Sequence, residues 1–319
     1  MAFPSPLPPP PATPVRLSTA MRPPRRTASP LRTCLSCGAG VIIVVVMMSC
    51  LCVVASFGFY FADPPEQTNI LILGGDARPG TNEEKIARTD SIIIMSIDPD
   101  GKQVSMLSVP RGMYVESPNY GLIMANTVVR NAEVYAPGTG EDEIVNTLET
   151  TFNVDIDHTV RISFEGFVEL VDAVGGIEID VPKRIVDRQY PTHDGGTIEV
   201  VFEPGEQTMD GERALQYART RHQDDDYGRA ARQQQVMEAL MKKLANPLHW
   251  SEAWEVIDKH YETDLTAEKA FRLAPALVLY GRGDSLQELV INTDYMIVVD
   301  GTLRPNMDKL EAWVEEHLR

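Results

Sequence analysis

Residues 38–62, GAGVIIVVVMMSCLCVVASFGFYFA, contain no charged side chain. A helix rises about 1.5 Å per residue, so this run is long enough to cross a hydrocarbon core of roughly 30 Å. A buried core helix of this length normally keeps a polar face, and this run has none. It predicts a single membrane span, and a span of this kind splits the chain into parts that must fold in different solvents. Five arginines (Arg16, Arg22, Arg25, Arg26, Arg32) precede it with no acid among them, and Asp63 follows it. The bias of basic residues sets the N-terminus inside and the remainder outside the cell membrane. A cleaved signal peptide is the alternative, but the run is long for one and no A-x-A-like site follows it.

The flanks divide on the same grounds. Residues 1–37 are rich in proline, serine and arginine, lack an apolar pattern, and predict a disordered cytoplasmic tail. Residues 63–68 read as a short stiff linker. Residues 69–247 read as one α/β domain, and 248–319 as a more helical extension packed on it. The four cysteines all lie at or before Cys52, so the outer part is built without disulfides. Net charge is −17 for 319 residues; with the five tail arginines set aside, 46 acids face 24 basic residues. Such a surface repels nucleic acid and argues against a DNA-binding regulator.

Along the outer part, TNILILGGD reads as a buried strand ending in a glycine turn. SIIIMSID and QVSMLSVP flank PDGK as a hairpin would. EDEIVNTLETTF carries apolar residues at helical spacing (Ile144, Val145, Leu148, Phe152), and HTVRISF is strand-like. EGFVELVDAVG predicts a helix closed by glycine, GIEIDVP alternates as a strand, and MDGERALQYA opens on an aspartate N-cap. GRAARQQQVMEALMKKL predicts a long helix with Val236, Leu240 and Leu244 on one stripe. Alternating strands and helices predict a layered α/β/α domain around a mixed sheet.

The familiar catalytic signatures are missing: there is no G-x-S-x-G, no H-E-x-x-H, and no lysine in the glycine loop that begins at Gly75. Carboxylates and arginines remain. Asp76 ends the first strand, and Arg88 and Asp90 precede the next. Two aspartates at adjacent strand ends suit one hard cation such as magnesium; the plainer reading is a capped turn and an Arg88–Asp90 pair. YARTRHQDDDYGRAARQQQ (residues 217–235) gathers Arg219, Arg221, Arg229 and Arg232 around three aspartates. Arg229 and Gln233 share a helix face, and Asp226 stands at that helix's positive end. Guanidinium forks bind phosphate oxygens in pairs. With Arg111 after SVP, the set suits a polyphosphate; the alternative is a solvated ion-pair network.

NILILGGD, RTDSIIIMSID, SMLSVPR, FEGFVELVDAVGGIEIDVP, PGEQTMDGERALQYARTRH and DDYGRAARQQQ occur in this order. Together they resemble the LytR-CpsA-Psr family of membrane-anchored cell-wall enzymes. The resemblance implies an α/β/α fold with a long apolar cavity for a polyprenyl tail. It implies transfer of a glycopolymer phosphate from a polyprenyl pyrophosphate carrier to peptidoglycan, with Mg2+ or Mn2+ held by Asp76 and Asp90. Arg88, Arg111, Arg219, Arg221, Arg229 and Gln233 would hold the pyrophosphate, with Asp226 supporting the arginines. Asp76, Asp90, Arg88 and Arg111 would be the catalytic set, either aspartate serving as ligand or base. Hydrolysis of the same lipid pyrophosphate and a non-catalytic lipid scaffold are the alternatives. Two positions depart from the family pattern: Gly112 stands where aspartate is usual, and Met124 where a lysine is expected. Arg130, one helical turn past Asn126, is the candidate replacement.

Overall fold

A computed structural model describes residues 66–75, 89–98, 103–192, 195–220, 226–280 and 286–319, with scattered positions between 44 and 62. The predicted tail lies outside the described residues. The described positions of the apolar run are helical, and Val44, Met47, Leu51 and Val54 are exposed. Among the described residues no helix is long and apolar enough to cross a membrane. Residues up to Leu51 form one unit, and Cys52–Arg319 a second, compact one.

The second unit is organised by β1 (Thr68–Gly75), whose side chains are buried on both sides. A strand covered on both faces reads as a continuous apolar run rather than an alternating one, and ILIL is such a run. It pairs antiparallel with β2 (Thr89–Ile97) and parallel with β6 (His158–Ile162). β3 (Val104–Ser108) continues antiparallel beyond β2. The segment after Pro247 supplies both edges: β11 (Tyr261–Thr263) beside β6, and β12 (Leu286–Val290) parallel to β3. The result is the expected mixed sheet, six-stranded, in the order β11-β6-β1-β2-β3-β12.

Helices cover both faces. Leu71, Leu73, Ile92, Ile94 and Leu107 pack beneath α1 (Val128–Tyr135), α2 (Gly140–Phe152) and, through Leu310 and Val314, α8 (Met307–His317). Ile70, Ile72, Ile93 and Met106 face the other way, against α5 (Asp226–Leu244) and α7 (Ala267–Tyr280). Burying this much aliphatic surface, at about 25 cal/mol per Å2, is what holds together a unit with no disulfide among its described residues. A further core joins α3 (Phe164–Ala173), α4 (Gly211–Arg219) and α6 (Trp250–His260) to two ribbons. These are β7 (Ile177–Val181) with β10 (Gly205–Met209), and β8 (Ile185–Pro191) with β9 (Thr197–Phe202). β4 (Tyr114–Ser117) and β5 (Gly121–Met124) form a small hairpin after β3.

The predicted caps are present. Asp210 accepts from the Arg213 amide at the start of α4, and Gly175 and Gly176, both at positive φ, close α3. Gly211 is needed for packing: a Cβ there would lie 2.2 Å from the Val168 carbonyl oxygen of α3. One apolar run in the C-terminal part is divided. LVINTDYMIVVDG breaks where the Asn292 side chain accepts from the Asp294 amide, an Asx turn that stops β12. β13 (Met296–Val299) and β14 (Thr302–Pro305) follow as a hairpin with Asp300 and Gly301 at positive φ.

Candidate active site

The site lies at the end of the sheet where β1 finishes. Gly75 is opposite Thr89, so Asp90 opens β2 at that end. Arg111 sits in the turn that follows β3, and its carbonyl accepts from the Asn126 amide at 3.1 Å, which ties the turn to the approach of α1. The Arg111 guanidinium then bridges two acids. One nitrogen lies 3.2 Å from Asp90 Oδ1 and Nε lies 3.1 Å from Asp226 Oδ2. Asp226 begins α5, and its second oxygen is 3.3 Å from Arg229 one turn later. Asp90, Arg111, Asp226 and Arg229 thus form one alternating chain of charge. Burial works against the Arg111 cation, but Asp90 and Asp226 outweigh it and hold its pKa above the ordinary guanidinium value. Arg229 is 6% exposed, so its charge is fixed in a low-dielectric setting.

One turn further along α5, Gln233 accepts from the Ser91 hydroxyl at 3.1 Å, joining the helix to β2. Gln233, Ser91 and Arg219 line a small apolar cavity of about 90 Å3 walled by Ile72, Phe167 and Met237. Arg219 ends α4 and is held by aromatic rings. Its guanidinium carbon lies 4.1 Å above the centre of Phe164 and 5.5 Å from that of Tyr190, and it donates to the Tyr190 hydroxyl at 3.2 Å. Burial pushes the Tyr190 phenol above its ordinary pKa despite the opposing Arg219 charge, so it stays neutral. Phe164 is the first residue of α3, which Ser163 caps, so a helix N-terminus opens at the same mouth. A cation, a helix N-terminus and a small apolar hollow therefore meet in one place, and the hollow is far smaller than the long cavity the resemblance implies.

Six of the nine residues singled out from the sequence fall among the described residues: Asp90, Arg111, Asp226 and Arg229 in the charge chain, and Arg219 and Gln233 at the cavity. Asp76, Arg88 and Arg221 lie outside the described residues. Among the described residues there is no group of three His, Cys, Asp or Glu side chains that could hold a metal ion, and of the expected aspartate pair only Asp90 is among them. Arg130 is exposed on α1, Met124 is exposed on β5, and Gly112 occupies an open turn where a Cβ would meet nothing within 4 Å. Arg111 and Arg229 are ion-paired with Asp90 and Asp226, as the plainer reading expects, and the pairs stand at the cavity end of the sheet.

Four contributors went unassigned. Arg232 is buried; it donates through Nε to the Tyr217 carbonyl at 3.0 Å and through a second nitrogen to that of Thr220. It clamps the end of α4 that carries Arg219. Its signal is in the sequence: it lies three residues from Arg229 and four from Val236, on the inward stripe of α5. Asp187, also buried, accepts from the Thr220 hydroxyl at 2.8 Å and fixes the same turn. Tyr190 and Phe164 have no local signal, since their role depends on ring placement.

Residues 56–313 match the LytR_cpsA_psr family. The chain is 35% identical over 209 residues to an Oceanobacillus iheyensis protein named polyisoprenyl-teichoic acid–peptidoglycan teichoic acid transferase TagU, covering 64% of this chain and 61% of that one. To TagV of Bacillus subtilis, a protein of the corresponding name, it is 31% identical over 244 residues, covering 72% and 60%. The chain thus spans about three fifths of the length of these curated relatives. The crystal structure of B. subtilis TagV superposes with a TM-score of 0.62 at 26% identity, covering 79% of this chain and 97% of that one. A structure described as TagT bound to LI-WTA gives 0.61 at 25% identity, covering 79% and 91%. The fold, the ordered motifs and a family match over most of the chain agree: this chain belongs to the LytR-CpsA-Psr family.

Proposed function

We propose that the chain transfers a teichoic-acid-type glycopolymer phosphate from a polyprenyl pyrophosphate carrier to a hydroxyl of peptidoglycan. The observation that carries this reading is the cavity mouth, where Arg219 is clamped over an apolar hollow lined also by Ser91 and Gln233. A prenyl pyrophosphate has the matching halves, an anion followed by a hydrocarbon. The names of the relatives support it, since TagU and TagV are called transferases of this kind. On this reading 38–62 anchors the chain, 1–37 lies in the cytoplasm, and residues 69–247 with 248–319 work outside it.

The bond that forms joins the acceptor oxygen to the glycan-linked phosphorus. The bond that breaks joins that phosphorus to the bridging oxygen, and polyprenyl phosphate leaves. The linkage is already activated, so no nucleotide is needed. Arg111, Arg229 and Arg219, with Arg88 and Arg221, hold the phosphate oxygens and offset charge that grows on the leaving group. Asp226 keeps Arg111 and Arg229 aimed before the ligand arrives, and Gln233 contributes its amide. The acceptor proton passes to a carboxylate, Asp90 or Asp76. The Asp90 side chain, 31% exposed and offering hard oxygens, also suits a divalent cation that takes its other ligands from water and phosphate. Mg2+ or Mn2+ bound by Asp90 with Asp76 would supply further neutralisation of the pyrophosphate.

The test supplies the purified full chain with a short-prenyl pyrophosphate glycan and soluble peptidoglycan fragments, with mass spectrometry of the products. Glycan phosphate attached to peptidoglycan, with one prenyl phosphate released per attachment, is expected. Free glycan phosphate released while acceptor is in excess would instead make the chain a hydrolase. No turnover, with lipid co-purifying, would make it a scaffold.

A further inference from the structure

Far from the phosphate site lies a second apolar surface. The C-terminal end of α5, the first turns of α6 and the first half of α7 enclose a groove of about 350 Å3, lined among others by Trp250, Trp254, Ile257, Ala270 and Phe271. Beside it, Leu248 is 82% exposed, the most exposed large apolar side chain among the described residues. Two of the chain's three tryptophans are here. The Trp250 indole N–H is spent inward, donating to the Leu244 carbonyl at 2.7 Å, so its ring can meet hydrocarbon without stranding a polar atom.

Topology fixes which way this surface faces. α5 leaves the phosphate site at Asp226 and extends about 28 Å to Leu244. Near its far end Met241 packs with Ile70, Ile97 and Val104, the residues at the end of the sheet where β1 begins. α7 begins and finishes near that end as well. It follows Asp264, which accepts from the Thr159 amide low on β6, and it precedes β12, whose first residue pairs with Val104. Tyr60, in the last turn of the apolar run, is buried in this same core with Leu273 and Tyr280. Only five residues lie between position 62 and Thr68, a reach of at most about 20 Å. The chain therefore enters the domain at the end where the groove lies.

We propose that the α6–α7 groove and Leu248 form a lipid-docking surface that seats the domain on the outer face of the bilayer, its tryptophans at the hydrocarbon boundary. The proposal rests on the membrane reading given above and adds to it a second attachment besides the span. Interfacial tryptophans backed by aliphatic residues partition there because one part of the ring is apolar and the rest tolerates water. Docking by two points sets the orientation of the domain, so that the phosphate site is held at one height above the membrane.

The full chain is reconstituted in vesicles of phosphatidylglycerol and phosphatidylcholine whose acyl chains carry bromine, and its tryptophan emission is compared with that in unbrominated vesicles. The predicted span contains no tryptophan and contributes no signal of its own. Emission should fall by about a third or more, and Leu248→Glu should cut that fall at least to about half. Trp250→Phe with Trp254→Phe, a conservative pair, should abolish the quenching and leave only the Trp313 signal. A carbonate wash of the same vesicles reports the anchor separately. Chain retained after the wash but unquenched overturns the docking, whereas quenching before the wash from chain that then washes off supports docking and counts against the anchor. Quenching that appears only when polyprenyl phosphate is added assigns the groove to the carrier and also overturns the proposal.

Discussion

Arg219→Lys keeps the charge at the cavity mouth and removes the flat guanidinium. The native group lies 4.1 Å from the centre of Phe164, within the range where a partly desolvated cation–π contact contributes about 1 kcal/mol. The Tyr190 ring, at 5.5 Å, adds at the low end, about 0.5 kcal/mol. An ammonium can reach one oxygen of a phosphate but cannot lie flat between two rings while binding two. Loss of both ring contacts predicts about 1.5 kcal/mol, or roughly tenfold weaker binding of a prenyl pyrophosphate. Arg219→Ala removes the charge and its hydrogen bonds as well, and should cost at least about 2 kcal/mol, roughly thirtyfold. Phe164→Leu keeps the apolar wall and removes one ring, so it should fall near fivefold. Calorimetry with geranyl pyrophosphate, a soluble carrier fragment, reads all three. Equal affinity for Arg219→Lys and the native chain would show that the rings do not aim the cation. Unchanged affinity in Arg219→Ala would remove Arg219 from the anion site and with it the main support for the transferase reading.

Asp90→Asn should abolish most metal-stimulated turnover, about a hundredfold, while metal-free binding of the prenyl pyrophosphate stays within about threefold; equal stimulation by Mg2+ in variant and native chain would exclude the metal role. Arg232→Met leaves the Tyr217 and Thr220 carbonyls without their donor and should cost about 2–4 kcal/mol, seen as a loss of roughly 5–12 °C in Tm, together with weaker anion binding because Arg219 loses its clamp. An unchanged Tm would refute the clamp. Glu288 on β12 responds to pH: burial first, then Glu238, pushes its carboxyl up to about 7, against the pull of Lys242. A carboxyl whose folded pKa is raised binds its proton more tightly in the folded chain, so stability declines as pH rises from about 4.5 through 7. Its exposure limits the effect to about 1 kcal/mol or less. Glu288→Gln should flatten urea-melt stability between pH 5 and 8, and an undiminished slope would place the titration elsewhere.

The sheet was legible because its pattern is local. ILIL and IIIM can be buried on both sides only in strands, and the inward stripe of α5 announces itself at Val236 and Leu240. Tyr261–Thr263 was not legible. The run SEAWEVIDKHYETD continues a helical spacing, yet the chain leaves the helix at His260 because β6 offers an open edge, and Tyr261 and Thr263 are well suited to a strand. The site divides in the same way. Arg229 and Gln233 share a helix face, so spacing alone pairs them. That Asp226 bridges Arg229 to Arg111, 115 residues away from it, depends on how the turn after β3 meets the start of α5, and no local pattern encodes that meeting.

The neutral sum of the charge chain also explains how Arg111 and Arg229 can stand so close together in this domain. Arg111 and Arg229 left bare beside each other would repel, and each would be costly to bury. Asp226 between them, and Asp90 on the far side of Arg111, make the buried cations tolerable in the absence of ligand. Were a pyrophosphate to bind as proposed, its oxygens would meet guanidiniums already held in place by Asp90 and Asp226. The cost of gathering like charges is met during folding by α5 and the turn after β3. On the proposed reading a pyrophosphate would bring its own negative charge, shared between these guanidiniums and Arg219 at the cavity.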